Sequence, residues 1–127
     1  MASIFELEQP SFGRSSSGKL LVAASNTAGT TLSAAESVGA VITATPTGNR
    51  TITTATFALI KAELGDQFKV GQTFELNVVN LAADTHTLTL AGGDGVTVVG
   101  AAAVAAAGSG TFVGRISSTT AAVFYRA

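Results

Sequence analysis

QTFELNVVN (residues 72–80), THTLTL (85–90), GVTVVG (95–100), SGTFVGRI (109–116) and TAAVFYR (120–126) decide the fold class of this chain. Successive side chains of a strand point to opposite faces, so an alternating pattern marks a half-buried strand. In 73–78, Phe74, Leu76 and Val78 fall on one side, and Thr73, Glu75 and Asn77 on the other. Leu88 and Leu90 alternate with Thr87 and Thr89, and Phe112 and Ile116 lie opposite Val113 and Arg115. In the last segment Val123 and Tyr125 lie opposite Phe124 and Arg126. Gly92-Gly93-Asp94-Gly95 reads as a hairpin turn, because Asp-Gly tolerates positive φ. Short strands at roughly ten-residue spacing predict an all-β fold: an antiparallel β-sandwich, a jelly roll or a small barrel.

Upstream of Gly71, Lys19–Ala24, Val38–Ala44 and Arg50–Thr53 read as further strands. Ser25–Ser37 is small and polar and reads as irregular. Thr54–Leu64 is the one helix candidate, with Phe57, Ile60 and Leu64 on one face. Thr54 or Thr56 can cap its start, and Gly65 can supply the residue after its end. Ala101–Ala107 is helical by propensity, but Gly100 and Gly108 favour a tight loop with a short strand. Its small side chains would also let a neighbouring chain approach closely.

Residues 1–18 stand apart as an N-terminal arm, leaving 19–127 as a single domain. Ile4, Phe5, Leu7 and Phe12 are too few to build a core, and Ser15-Ser16-Ser17-Gly18 reads as a flexible joint. The arm either folds back on its own domain, frays as a free end, or lays its apolar residues on a neighbouring subunit. The opening residues lack the apolar run of a secretory signal.

Leu, Ile, Val and Phe make up 34 of 127 residues, enough for a packed core. Charged residues are only 12%, about half the usual share. A neutral surface rich in Thr, Ser, Ala and Gly repels itself little and costs little to desolvate, which points to self-association. A net charge of −1 gives no footprint for nucleic acid. The longest apolar run, Val96–Ala107, is too short for a membrane span of about 20 residues. Without cysteine, disulfides and thiolate metal sites are excluded.

Chemistry-bearing residues are sparse. His86 is the single histidine, in phase with Leu88 and Leu90, and Asp84 lies two residues before it. A catalytic pair would need a nucleophile beside it, and a metal site would need more ligands. AGGDGVTVVG has the glycines and aspartate of a calcium-binding β-roll repeat, but only once. It lacks the Lys-Ser or Lys-Thr of a phosphate loop. Glu63, Asp66, Glu75, Asp84 and Asp94 are scattered. Arg115 and Arg126 would sit on the outward faces of terminal strands, pairing with a partner or guarding a sheet edge. The expectation is no enzyme, no cofactor and no metal.

VGQTFELNVVN (70–80), THTLTLAGGDGVTVVG (85–100), a small-residue loop and GSGTFVGRISSTTAAVFYR (108–126) follow one another in an order that resembles a β-rich domain of tailed-bacteriophage virion proteins. The resemblance covers a little under half of the chain, or about two thirds with TGNRTITTATFALIKAEL (47–64). It rests on strand-and-turn order rather than on a chemical signature. It implies a capsid decoration (cement) protein on the outer surface of the virion, a homotrimer bound to the major capsid protein. In that role Ile4, Phe5, Leu7, Phe12 and Arg14 are the candidate capsid or inter-subunit contacts. The alternative is a receptor- or carbohydrate-binding domain of a head or tail fibre, disfavoured by the lack of Trp and the single Tyr.

Overall fold

A computed structural model describes residues 19–127. The arm, with Ile4, Phe5, Leu7, Phe12 and Arg14, lies outside the described residues. Among the described residues ten strands form two sheets. The first strands are β1 (Leu20–Ala23), β2 (Thr30–Thr31), β3 (Ala40–Ala44), β4 (Arg50–Thr53) and β5 (Thr73–Asn80). They are followed by β6 (Leu88–Ala91), β7 (Val96–Val99), β8 (Ala103–Val104), β9 (Ser109–Ile116) and β10 (Ala122–Arg126). Helices α1 (Ala34–Ser37) and α2 (Phe57–Leu64) sit between early strands.

The strand order is β1-β3-β5-β9-β10-β7 in a six-stranded sheet and β2-β4-β6-β8 in a four-stranded one. The chain therefore changes sheet at every step from β1 to β9. Its first three passes stack in parallel: β1, β3 and β5 in one sheet, β2, β4 and β6 in the other. β9 and β10 then form an antiparallel pair that fills the space between β5 and β7, and β7 lies parallel to β10. β8 closes the smaller sheet antiparallel to β6.

This overturns the antiparallel β-sandwich or jelly roll. The fold is mixed α/β and parallel-rich, with two sheets and two helices. Period-two alternation tells which side chains face inward, but that pattern is the same for a parallel or an antiparallel neighbour. The direction is set by the connections, which cross between sheets.

The Gly92–Gly95 turn shows how. The Val96 amide donates to Gly93 O at 2.9 Å, closing a tight turn with Gly95 at φ +80°. The turn leans on α2: the Phe57 amide donates to Asp94 O at 2.8 Å. A Cβ on Gly95 would lie 2.7 Å from Phe57 Cβ, and one on Gly93 would lie 2.8 Å from Thr54 O. The glycines permit this close approach, and the chain leaves the turn for the far edge of the other sheet. The Asp-Gly turn is real, but it does not make a β6–β7 hairpin.

Both sheets bury one core. Ile42, Leu76, Val78, Phe112, Ile116 and Phe124 meet Ile52, Leu88, Leu90 and Val104 from the smaller sheet. α2 covers part of it with Phe57 and Ile60, while Leu64 packs partly buried at its end. Thr56 caps its start by accepting from the Leu59 amide, and Gly65 follows at φ +53°. Ser25–Ser37 is not irregular: it holds β2 and α1. The signal for α1 is Ser33-x-x-Glu36, a reciprocal capping box in which Ser33 Oγ accepts from the Glu36 amide and Glu36 Oε1 accepts from the Ser33 amide.

Asn80, at the end of β5, fastens one sheet to the other. It is 1% exposed. Its Nδ2 donates to Val104 O in β8 at 3.0 Å and to His86 O at 2.9 Å, while its Oδ1 accepts from the Ala82 amide at 3.0 Å. Ser37 makes a similar tie, donating to Ser33 O at 2.8 Å and accepting from the Ala55 amide at 2.9 Å.

Candidate functional site

The residues with chemical potential do not converge. His86 Nε2 lies 3.8 Å from Asp84 Oδ1, beyond hydrogen-bonding distance; the Asp84 side chain is open to solvent and that of His86 is partly buried. His86 precedes β6 rather than belonging to it, so its phase with Leu88 leaves it only partly buried. Among the described residues no group of three or more His, Asp or Glu side chains is placed to hold a metal ion. No helix among them is long and apolar enough to cross a membrane.

Arg126 corrects another expectation. β10 is an interior strand, paired on both sides, and Arg126 guards no edge. Its Nη1 donates to Ala101 O at 2.7 Å and to Ala103 O at 3.0 Å, and its guanidinium lies 5.4 Å from the Phe112 ring centre. The small residues of Ala101–Ala107 thus meet a side chain of their own chain. That run supplies strand β8 and a turn closed by the Gly108 amide on Ala105 O, with Ala107 at φ +57°. A shallow concavity between Val79, Leu81, Ala107, Gly108 and Ser109 has Asn80 as its one buried polar side chain. All its hydrogen bonds are made within the chain, so it presents nothing to a ligand.

What the fold does assemble is a face. Register across the six-stranded sheet lines up outward side chains from distant segments. One row runs Val99, Tyr125, Val113, Glu75 across β7, β10, β9 and β5. The next runs Thr97, Val123, Arg115, Thr73. Another runs Thr111, Asn77, Val41, Leu21 from β9 to β1. Charge on these rows and their margin is limited to Glu75, Arg115 and Lys19. Lys19 neutralises Glu75 by reaching across the sheet to it, and also donates to Asn77 Oδ1 at 2.8 Å. Asn77 passes the chain on to Thr111 Oγ1 at 2.9 Å. Leu21, Val99 and Tyr125 are large apolar or aromatic groups left exposed on this face.

The smaller sheet has a similar character outside. Thr51, Thr89 and Ala103 form one row, Thr31, Thr53 and Ala91 another. Threonine and valine suit both roles, since β-branched side chains pack well on a pleated surface. Composition signals a neutral exterior, but it does not show that Tyr125, Val99 and Val113 are neighbours. That adjacency depends on the parallel β7–β10 pairing.

The chain matches no protein-family model, no curated protein and no solved structure.

Proposed function

We propose that this chain is a structural binding protein of a tailed-phage particle, attached to the outer surface of the capsid as a homotrimer that ties major capsid subunits together. The observation that carries this reading is the outward face of the six-stranded sheet: Val99, Tyr125, Val113, Val123, Val41 and Leu21, interleaved with threonine, with charge limited to the Lys19–Glu75 ion pair and Arg115. Such a face loses little hydration free energy on contact and gains apolar burial. The order of strand and turn segments from Val70 to Arg126 supports the same reading through its resemblance to virion proteins.

The mechanism is multivalent. Three weak contacts joined in one trimer act at a high effective concentration and add up to strong retention without any single tight site. The arm residues Ile4, Phe5, Leu7, Phe12 and Arg14 are the proposed second contact, to capsid or to an adjacent protomer. The test is binding to capsid shells lacking this protein, together with native mass spectrometry. The wild type runs as a trimer and stays with shells through sedimentation. Val113→Lys combined with Tyr125→Asp keeps the fold and abolishes retention or trimerisation. A monomer, or a double variant that trimerises and binds shells as the wild type does, refutes the proposal.

A further inference from the structure

We infer that the trimer is held by a contact between two different surfaces: the outer side of α2 of one protomer lies on the outward face of the six-stranded sheet of the next, with Glu63 meeting Arg115. This rests on the homotrimer reading and names the surface that the sheet face receives.

A closed trimer joins each protomer to its neighbours through two different patches, because a three-fold rotation does not place one patch against itself. One patch is the sheet face. Val99 and Tyr125 are exposed there, and Arg115 lies in the row next to Tyr125 and Val113. Among the described residues Arg115 makes no ion pair, and the acid of the face, Glu75, is taken by Lys19. Two copies of this face packed on each other would bring in both Arg115 side chains with no second acid to meet them. Burying an unpaired charge is costly, so self-packing is disfavoured. The surface that fits carries an acid among apolar and small groups.

α2 supplies such a surface. Its Phe57, Ile60 and Leu64 turn to the core. The helical period then puts Ala58, Leu59 and Ala62 on the opposite side, all exposed, and Leu59 is 56% exposed despite its size. Glu63 follows Leu59 by one turn on the same side. It too makes no ion pair among the described residues. Lys61, the one base on α2, is turned aside over the Phe68 ring at 5.0 Å. Ala58 and Ala62 add little bulk, so the helix can lie close on a pleated surface of valine and threonine. Six strands at about 4.8 Å spacing make a face about 24 Å wide, which seats a helix about 12 Å long. With Glu63 on Arg115, Leu59 lies towards Val113 and Tyr125, because β9 ends one residue beyond Arg115. Within one chain the two surfaces do not meet, since Phe57 and Ile60 pack α2 on the inner side of the sheet.

Native mass spectrometry of the full chain over a concentration series, with no shells present, tests this. Arg115→Glu and Glu63→Arg each raise the concentration at which half the chains are trimeric by at least about tenfold. Combined in one chain, they restore the wild-type value to within about threefold. The milder pair Arg115→Gln and Glu63→Gln gives the same coupling where a reversed charge disturbs folding: the second change costs little once the first is made. Single variants that trimerise as the wild type does overturn the inference and leave the homotrimer standing. So does a double variant as weak as the two single effects added together. A wild-type monomer removes the homotrimer and the inference with it. Retention by shells is scored in the sedimentation assay and does not enter this one.

Discussion

Replacing Asn80 with Ala is the sharpest test of how the two sheets are joined. The amide makes three hydrogen bonds, one across to Val104 in the other sheet, one to the backbone of His86 and one to Ala82. Asn80 is 1% exposed, and Val104 and Ala82 are buried too. Water therefore cannot take over these partners without a rearrangement. A buried donor or acceptor left unmade costs about 1–3 kcal/mol. With two deeply buried partners and one partly buried, Asn80→Ala should cost about 3–5 kcal/mol, a large share of the roughly 5–15 kcal/mol that holds a domain together. The measurement is urea denaturation read by circular dichroism, with an unchanged m-value confirming that the same transition is observed. Asn80→Asp separates hydrogen bonding from volume. The carboxylate keeps the Ala82 bond but sets negative oxygens against two carbonyls. Its folded-state pKa must therefore rise above its unfolded value, so the loss is least below the ordinary carboxyl range and grows as the pH rises through the folded pKa. Asn80→Asp should accordingly sit closer to wild type at acid pH than at neutral pH. A loss below about 1 kcal/mol for Asn80→Ala, or no pH dependence in the Asp-minus-wild-type difference, would refute the reasoning.

Ser37→Ala should cost about 1–3 kcal/mol by chemical denaturation, since it strands the buried Ala55 amide. Gly95→Ala should cost at least about 2 kcal/mol, because it adds strain at φ +80° to a 2.7 Å clash with Phe57 Cβ. Ala107→Gly should raise stability by roughly 0.5–1 kcal/mol, measured the same way, by relieving a left-handed alanine at φ +57°. Lys19→Met should change stability by less than about 1 kcal/mol, since its carboxylate partner is solvent-exposed; a larger loss would mean that its bridge to Asn77 matters more than the ion pair.

Much of the secondary structure was legible in the sequence. Strands at Arg50–Thr53 and Val96–Val99 lie where alternation and turn residues put them, and α2 starts at the Thr56 cap and stops at Gly65. α1 was missed because it is only four residues long, and its capping box lay in a stretch whose small polar composition suggests a loop. The phase of His86 with Leu88 does not carry over into structure, because two-residue phase holds only inside a strand and β6 begins at Leu88. Arg126 differs from its edge-guarding expectation because the last strand in sequence is not the last in the sheet: β7 pairs beyond it. The face containing Val99, Tyr125 and Val113 could not be read at all, since its members come from three strands whose adjacency is non-local.

By itself the sequence determined most of the segments that become strands, most of the side chains that turn inward, and that the exterior is neutral. These follow from local periodicity and from composition. Only the tertiary structure decided which strands are neighbours and in which direction they run. An inward-facing residue is buried equally well beside a parallel or an antiparallel strand, so hydrophobic pattern leaves that choice open. Here it is settled by turns such as Gly92–Gly95, packed on α2, and by the Asn80 amide reaching from one sheet to the other.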